Sequence, residues 1–176
     1  MKTNEENVRY IPLKNYILTI LMFIAVVLIT LYLFKWYQVK HDEKISHSYL
    51  IENNLVTNQT NSVDELKNVI TENSSRLLLY ISYRNDNKIY NIEKKFASIF
   101  KKYDISDIFY LFDITDIKSN NKNYKNLINN YLDINVNGYP VIIYYEDGQI
   151  SSYKRIKSDK DLDNFIKKTN IEKNSL

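Results

Sequence analysis

The sequence predicts an α/β domain, a central mixed sheet flanked by helices, preceded by a single N-terminal transmembrane helix. Three observations predict it. Both glycines and one of the two prolines fall between Gly138 and Gly148, in a stretch patterned as strand, tight turn and returning strand. Ahead of that stretch, short apolar runs alternate with segments of helical periodicity, the pattern of βαβ units. Near the N-terminus, residues 16–34 carry no charged side chain.

The apolar run Tyr16 to Phe34 is long enough, at about 1.5 Å per residue, to cross a hydrocarbon core of about 30 Å. Trp36 and Tyr37 follow where an aromatic belt belongs, and Lys14 and Lys35 bracket the segment. A cleaved signal peptide has a shorter apolar region and a small-residue cleavage site. This run has one alanine at its middle, so an uncleaved signal anchor is expected. Basic residues are balanced across it, with Lys2, Arg9 and Lys14 before and Lys35, Lys40 and Lys44 after. The short N-terminal flank, 1–15, is read as cytoplasmic and the C-terminal domain as extracytoplasmic, in a single-pass cell-membrane protein. Residues 35–60 are polar and read as a stalk, with at most one short strand around Ile45 to Leu50.

The folded domain is placed at 61–170, followed by a tail at 171–176. Ser62-Val63-Asp64-Glu65 reads as a capping box, with Glu65 reaching back to the cap amide. Val63, Leu66 and Ile70 then recur at helical spacing. Leu77 to Ile81 is a short apolar run suited to a strand covered on both faces. Ile89, Ile92, Phe96, Ile99 and Tyr103 form one stripe of a long helix with lysines opposite. Ile108 to Ile114 is a second aromatic and β-branched run, Lys118 to Asn126 a polar insertion, and Tyr124 to Leu132 helical by pattern. Ser158-Asp159-Lys160-Asp161 caps a last helix carrying Leu162, Phe165 and Ile166.

Within the glycine-bearing stretch, Pro140 lacks an amide donor and can open a strand but not sit inside a paired one. Val141 to Tyr145 have the composition of a packed strand. Asp147-Gly148 is a strong hairpin signal, because a primed turn needs positive φ. Gln149 to Ile156 alternates polar with apolar, as a half-buried partner strand does. An ordinary hairpin with proline at a strand start accounts for these residues alone. Together with the order of the preceding elements, they resemble the thioredoxin-like superfamily over roughly 60–170. In that family a proline in a cis peptide opens a central strand, and an acidic residue plus glycine turns the hairpin. The resemblance implies a cis Tyr139-Pro140 bond.

The same resemblance places the family's Cys-x-x-Cys at the junction of the first central strand and the long helix. Here Asp86 and Ile89 stand at those positions, and the chain contains no cysteine. Dithiol exchange is excluded, since the thiolate is the nucleophile. The buried carboxylate often found in the family's preceding strand is also missing from Leu77 to Ile81. Asp86 is expected instead to cap the helix start. Other chemistry is equally sparse. His41 and His47, with Asp42 and Glu43, are read as a solvated linker in preference to a metal site. Asp113 and Asp116 are read as turn or cap residues in preference to paired carboxylates. Two glycines so placed exclude a phosphate-cradling loop. No catalytic residue, metal or cofactor is expected, and the chain is not read as an enzyme. Its net charge of +3 is too mild to indicate nucleic acid.

Richness in Asn, Lys, Ile and Tyr points to an AT-rich, low-GC bacterial source. Among membrane-anchored relatives the chain resembles the bacteriocin transport accessory proteins of Gram-positive bacteria, from which it departs at the Cys-x-x-Cys. The resemblance implies a redox-inactive, membrane-tethered module that binds an extended polypeptide or a partner membrane protein, in peptide export or folding. Expected binding residues are Tyr83, Asp86, Asn137, Gly138, Tyr139 and Pro140. The alternatives are a degenerate remnant of the fold or an enzyme with unrecognised non-thiol chemistry.

Overall fold

The structure, a computed structural model, describes residues 12–73 and 75–171. The flank expected at 1–15 and the tail expected at 171–176 therefore lie outside it, apart from residues 12–15 and 171. Two compact units are present, divided between Glu43 and Lys44.

The first is dominated by helix α1 (Leu13–Ile45), which buries none of its residues. It is long and apolar enough to cross a membrane. The polar groups of its apolar run are met within the helix: Thr19 and Thr30 donate their hydroxyls to the carbonyls of Asn15 and Val26, four residues back, each at 2.8 Å. That arrangement suits a medium without water, where each unmet polar group is costly. Lys40 lies over the Trp36 ring, 4.5 Å from its centroid. The helix runs well past Phe34, because 35–45 offers neither proline nor glycine to stop it.

The second unit is a five-stranded sheet with helices on both faces. Its elements in chain order are α2 (Tyr49–Glu52), β1 (Asn58–Thr60), α3 (Val63–Glu72), β2 (Arg76–Ser82), α4 (Asn87–Tyr103), β3 (Phe109–Asp113), α5 (Thr115–Asn120), α6 (Tyr124–Leu132), β4 (Val141–Glu146), β5 (Gln149–Arg155) and α7 (Asp159–Lys168). The sheet order is β1-β3-β2-β4-β5. β1 and β2 run parallel to β3, while β4 is antiparallel to β2 and β5 to β4. This is a thioredoxin-like fold.

Strand β2 explains the layering. From Leu77 to Ile81 every side chain is fully buried. Successive side chains of a strand point to opposite faces. Leu78 and Tyr80 join a core with Phe96, Phe100, Leu162 and Phe165, while Leu77, Leu79 and Ile81 join one with Leu66, Ile128 and Leu132. The hairpin forms as its sequence predicts: Asp147 and Gly148 both take positive φ, 51° and 74°. A bulge between Tyr144 and Tyr145 shifts the register of β5. The Tyr139–Pro140 peptide is cis. Asp86 caps α4, its carboxylate accepting from the amides of Lys88 (2.8 Å) and Ile89 (3.2 Å).

Three expectations need correction. The stalk at 35–60 does not extend to residue 60, and its short strand is not at 45–50. Ser48 caps α2, Leu50 and Val56 enter the core, and β1 forms the sheet edge. Polar composition hid these few apolar residues, and the polar strand β1 pairs with the outer edge of β3. The capping box of α3 is also rewired. The Ser62 side chain makes no cap bond; Glu65 accepts the Thr60 hydroxyl at 2.6 Å, and the Thr60 oxygen accepts the Ser62 amide at 3.2 Å. A buried hydroxyl at the end of β1 thus takes both roles. Finally, the start of the polar insertion coils into α5, anchored by buried Ile114.

The inclusion of 48–56 in the core has a thermodynamic signature. Leu50→Ala is expected to destabilise the domain by about 2–5 kcal/mol, as a buried leucine does. Urea unfolding of the full chain in detergent, followed by far-ultraviolet circular dichroism, measures it. A loss below about 0.5 kcal/mol, typical of an exposed site, would return this segment to the stalk.

Candidate functional site

The C-terminal ends of β2 and β3 are where apolar cover runs out. Beyond Ile81 come Ser82, Tyr83 and Arg84, and beyond Phe112 comes Asp113. Polar groups gather there on two sides.

On the side of α2 lies a carboxyl group that sequence reasoning missed. Glu93, in the second turn of α4, is 2 % exposed. Its carboxylate accepts the Ser48 hydroxyl at 2.7 Å, the Tyr49 amide at 3.0 Å and the Ser82 hydroxyl at 3.1 Å. One side chain thereby ties α2, β2 and α4 together. Burial pushes its pKa up to about 7, against the opposing pull of the Ser48, Ser82 and Tyr49 hydrogen bonds. Burial and then the Glu93 charge push the pKa of the buried Tyr80 hydroxyl well above its ordinary value. A signal was available: Glu93 falls four residues after Ile89 and three before Phe96, inside the apolar stripe rather than opposite it.

Above this cluster opens a polar recess of about 330 Å³, lined in part by His47, Ser48, Glu65, Arg84 and Asp113. Arg84 and Asp113 form an ion pair at 2.6 Å. The Arg84 amide donates to the Thr115 hydroxyl at 2.8 Å and its guanidinium to the Ser46 carbonyl at 3.3 Å. Asp113 also accepts the Thr115 amide at 2.9 Å and the Thr115 hydroxyl. Asp113 is therefore a turn residue with a cation partner, and Asp116 does not join it in a carboxylate pair. His41 pairs instead with neighbouring Asp42, at 3.6 Å. No group of three or more metal-ligating side chains occurs among the described residues.

The expected binding residues lie on the β4 side. Tyr83 is half-buried, with the Lys118 ammonium 3.2 Å from its ring centroid. Burial and then the Asp86 carboxylate raise the Tyr83 pKa, with the Arg155 charge opposing. Asn137 is exposed, whereas Gly138 and Pro140 are buried. The Arg155 guanidinium covers Gly138 so closely that a Cβ there would lie 3.2 Å from it. Tyr139 departs from expectation. It is 4 % exposed, donates its hydroxyl to the Asn129 side chain at 3.0 Å and packs its ring near Tyr124. Its side chain is a core group, because Asn129 meets the one polar atom that would otherwise keep it at the surface. The backbone tells a different story. Among the described residues, no hydrogen bond is made by the main-chain groups of Asn137, Gly138 or Tyr139, while the next carbonyl, of Pro140, accepts the Ile156 amide at 2.9 Å.

Raised pKa at Glu93 fixes the direction of a pH effect. The ordinary glutamate value is 4.5 and the folded value about 7, so the folded state binds the proton more tightly. The contribution of Glu93 to stability is therefore greatest below pH 4.5, falls as pH rises through the window from 4.5 to 7, and levels above it. Over that window the loss from this group is roughly 3 kcal/mol. Glu93→Gln, which keeps a neutral hydrogen-bonding side chain, is expected to flatten the slope between pH 5 and 7.5 and to exceed the wild type at pH 8. Thermal melts of both proteins across that range give the comparison; parallel curves would show that Glu93 does not titrate there.

No family model matches the chain, and no curated protein matches it. Solved structures similar to it include the thioredoxin of Fasciola hepatica, at 16% identity and TM-score 0.47, over 64% of this chain and 98% of that one. The oxidised thioredoxin of Plasmodium falciparum aligns at 15% identity and TM-score 0.47, over 64% and 96%. A chain from the complex of ferredoxin:thioredoxin reductase with thioredoxin f2 aligns at 16% identity and TM-score 0.48, over 64% and 94%.

Proposed function

We propose that this protein is a membrane-anchored, redox-inactive thioredoxin-like module that binds an extended polypeptide, free or presented by a partner membrane protein, at the loop ahead of β4. One observation carries the reading. Among the described residues, Asn137, Gly138 and Tyr139 hold three consecutive sets of main-chain groups without a hydrogen-bond partner, two of them in buried residues. Backbone polar groups at buried positions are nearly always paired. An extended peptide laid alongside would pair them, as a strand added to existing main chain does. No thiol is needed for such binding. Tyr83 supplies half-exposed aromatic area next to the loop, and Asp86 is committed to its helix cap. Helix α1 supplies the anchor, with the domain on the extracytoplasmic side. Peptide export or folding, the setting of the bacteriocin transport accessory proteins that the sequence resembles, is where such a module would act.

The rival reading, an enzyme of non-thiol chemistry, draws on the perturbed carboxyl of Glu93 beside a polar recess. Glu93 does not itself line that recess, and all three of its hydrogen bonds hold structural elements together. A stabilising role accounts for it.

A photoreactive amino acid placed at position 137 in living cells is expected to yield a polypeptide adduct that the same group at Lys167, on α7, does not. Equal patterns from the two positions would remove the binding role. Topology is read separately: protease added to intact spheroplasts should digest the domain and leave a protected N-terminal fragment, and a protected domain would reverse the orientation.

A further inference from the structure

Two cations, Arg155 and Lys118, stand beside the docking loop. Arg155, the last residue of β5, lays its guanidinium against Gly138. Lys118, on α5, stands over the Tyr83 ring and is partly withdrawn from water; burial lowers its pKa, with the Asp86 carboxylate opposing and Lys125 adding to the fall. Neither Lys118 nor Arg155 forms an ion pair among the described residues. The one carboxylate that bears on Tyr83, Asp86, directs an oxygen to two amides of its own helix. Arg155 thus has no carboxylate in salt-bridge contact among the described residues, and the carboxylate that acts on Lys118, Asp86, is already engaged by its own helix.

We infer that the occupant of this loop is an acidic extended segment of polypeptide, with Asp or Glu side chains meeting Arg155 and Lys118 while its backbone pairs with residues 137–139. This rests on the polypeptide-binding reading and specifies its ligand. The chemistry of the two cations divides the work. Arg155 offers a planar fork that grips a carboxylate with two parallel hydrogen bonds. Lys118 offers a point charge whose partial burial increases what an incoming anion gains, because charges attract more strongly where water is scarce. The Tyr83 ring beneath Lys118 holds the ammonium in place by cation–π attraction. An anion arriving at Lys118 also offsets the cost that burial places on its charge.

The experiment uses the full chain in nanodiscs of phosphatidylcholine and three fluorescent peptides of equal length, in which valine alternates with glutamate, glutamine or lysine. The glutamate peptide is expected to bind most tightly, and to weaken as salt rises from 50 to 300 mM. Arg155→Gln and Lys118→Gln together should reduce its affinity by roughly tenfold while leaving the glutamine peptide unchanged. Arg155 is exposed and Lys118 half-exposed, so both variants should fold; matching thermal melts check this. Equal binding of all three peptides, unaffected by the substitutions, overturns the acidic preference yet keeps the docking loop. Binding of none of them overturns both. Displacement of the glutamate peptide by phosphatidylglycerol vesicles, with the same dependence on Lys118 and Arg155, would assign the cations to a lipid surface and overturn the inference.

Discussion

Strand β2 must be covered on both faces, and the rest of the domain follows from meeting that need. Its fully buried run, Leu77 to Ile81, sits between a parallel and an antiparallel neighbour with apolar side chains on either side. One face is closed by α4 and α7, the other by α3 and α6. The cover on the α4 side is completed from an unexpected quarter, by Leu50 and Val56. Bringing those residues in also brings the start of α2, whose Ser48 hydroxyl and Tyr49 amide meet the carboxylate of Glu93. A polar hub inside an apolar layer is tolerable only when its members are satisfied. Three donors converging on one carboxyl group provide that, and the raised pKa of Glu93 measures what the burial still costs.

The sequence disclosed those features whose cause is local. The hairpin was legible because Asp147-Gly148 needs positive φ, and the start of α4 because Asp86 has a side chain of the length a cap requires. The two apolar runs at 77–81 and 108–114 were legible because two-sided burial leaves no polar alternation. What stayed hidden depends on distant partners. Thr60 displaced Ser62 as the organiser of the α3 entry through its contact with Glu65, which no spacing rule anticipates. Tyr139 was expected at the surface, and Asn129 on α6 drew it inward. Segment 48–56 looked like linker because it lies within the mostly polar stretch 38–60, yet its few apolar side chains were enough to fill the layer.

The candidate site shows the same division. Its position, between the end of β2 and the loop ahead of β4, could be read from the resemblance and the proline. Its charge could not. Lys118 and Arg155 come from elements far apart in sequence, and in a lysine-rich chain neither stands out. Only folding shows that one lies over Tyr83 and the other over Gly138.

Loss of cysteine changes what the start of α4 can do. A helix N-terminus carries partial positive charge and unpaired amides, and in a redox protein of this fold it stabilises a thiolate. Here Asp86 fills that place with its own carboxylate, which accepts from the Lys88 and Ile89 amides. The helix end is thereby satisfied from within and has little left to offer an incoming anion. On the acidic-segment reading, negative charge is met instead by side chains beside the loop. Those are Lys118 and Arg155, set on α5 and β5 rather than on α4. With Asp86 closing the end of α4, the positive charge beside this loop is that of two side chains.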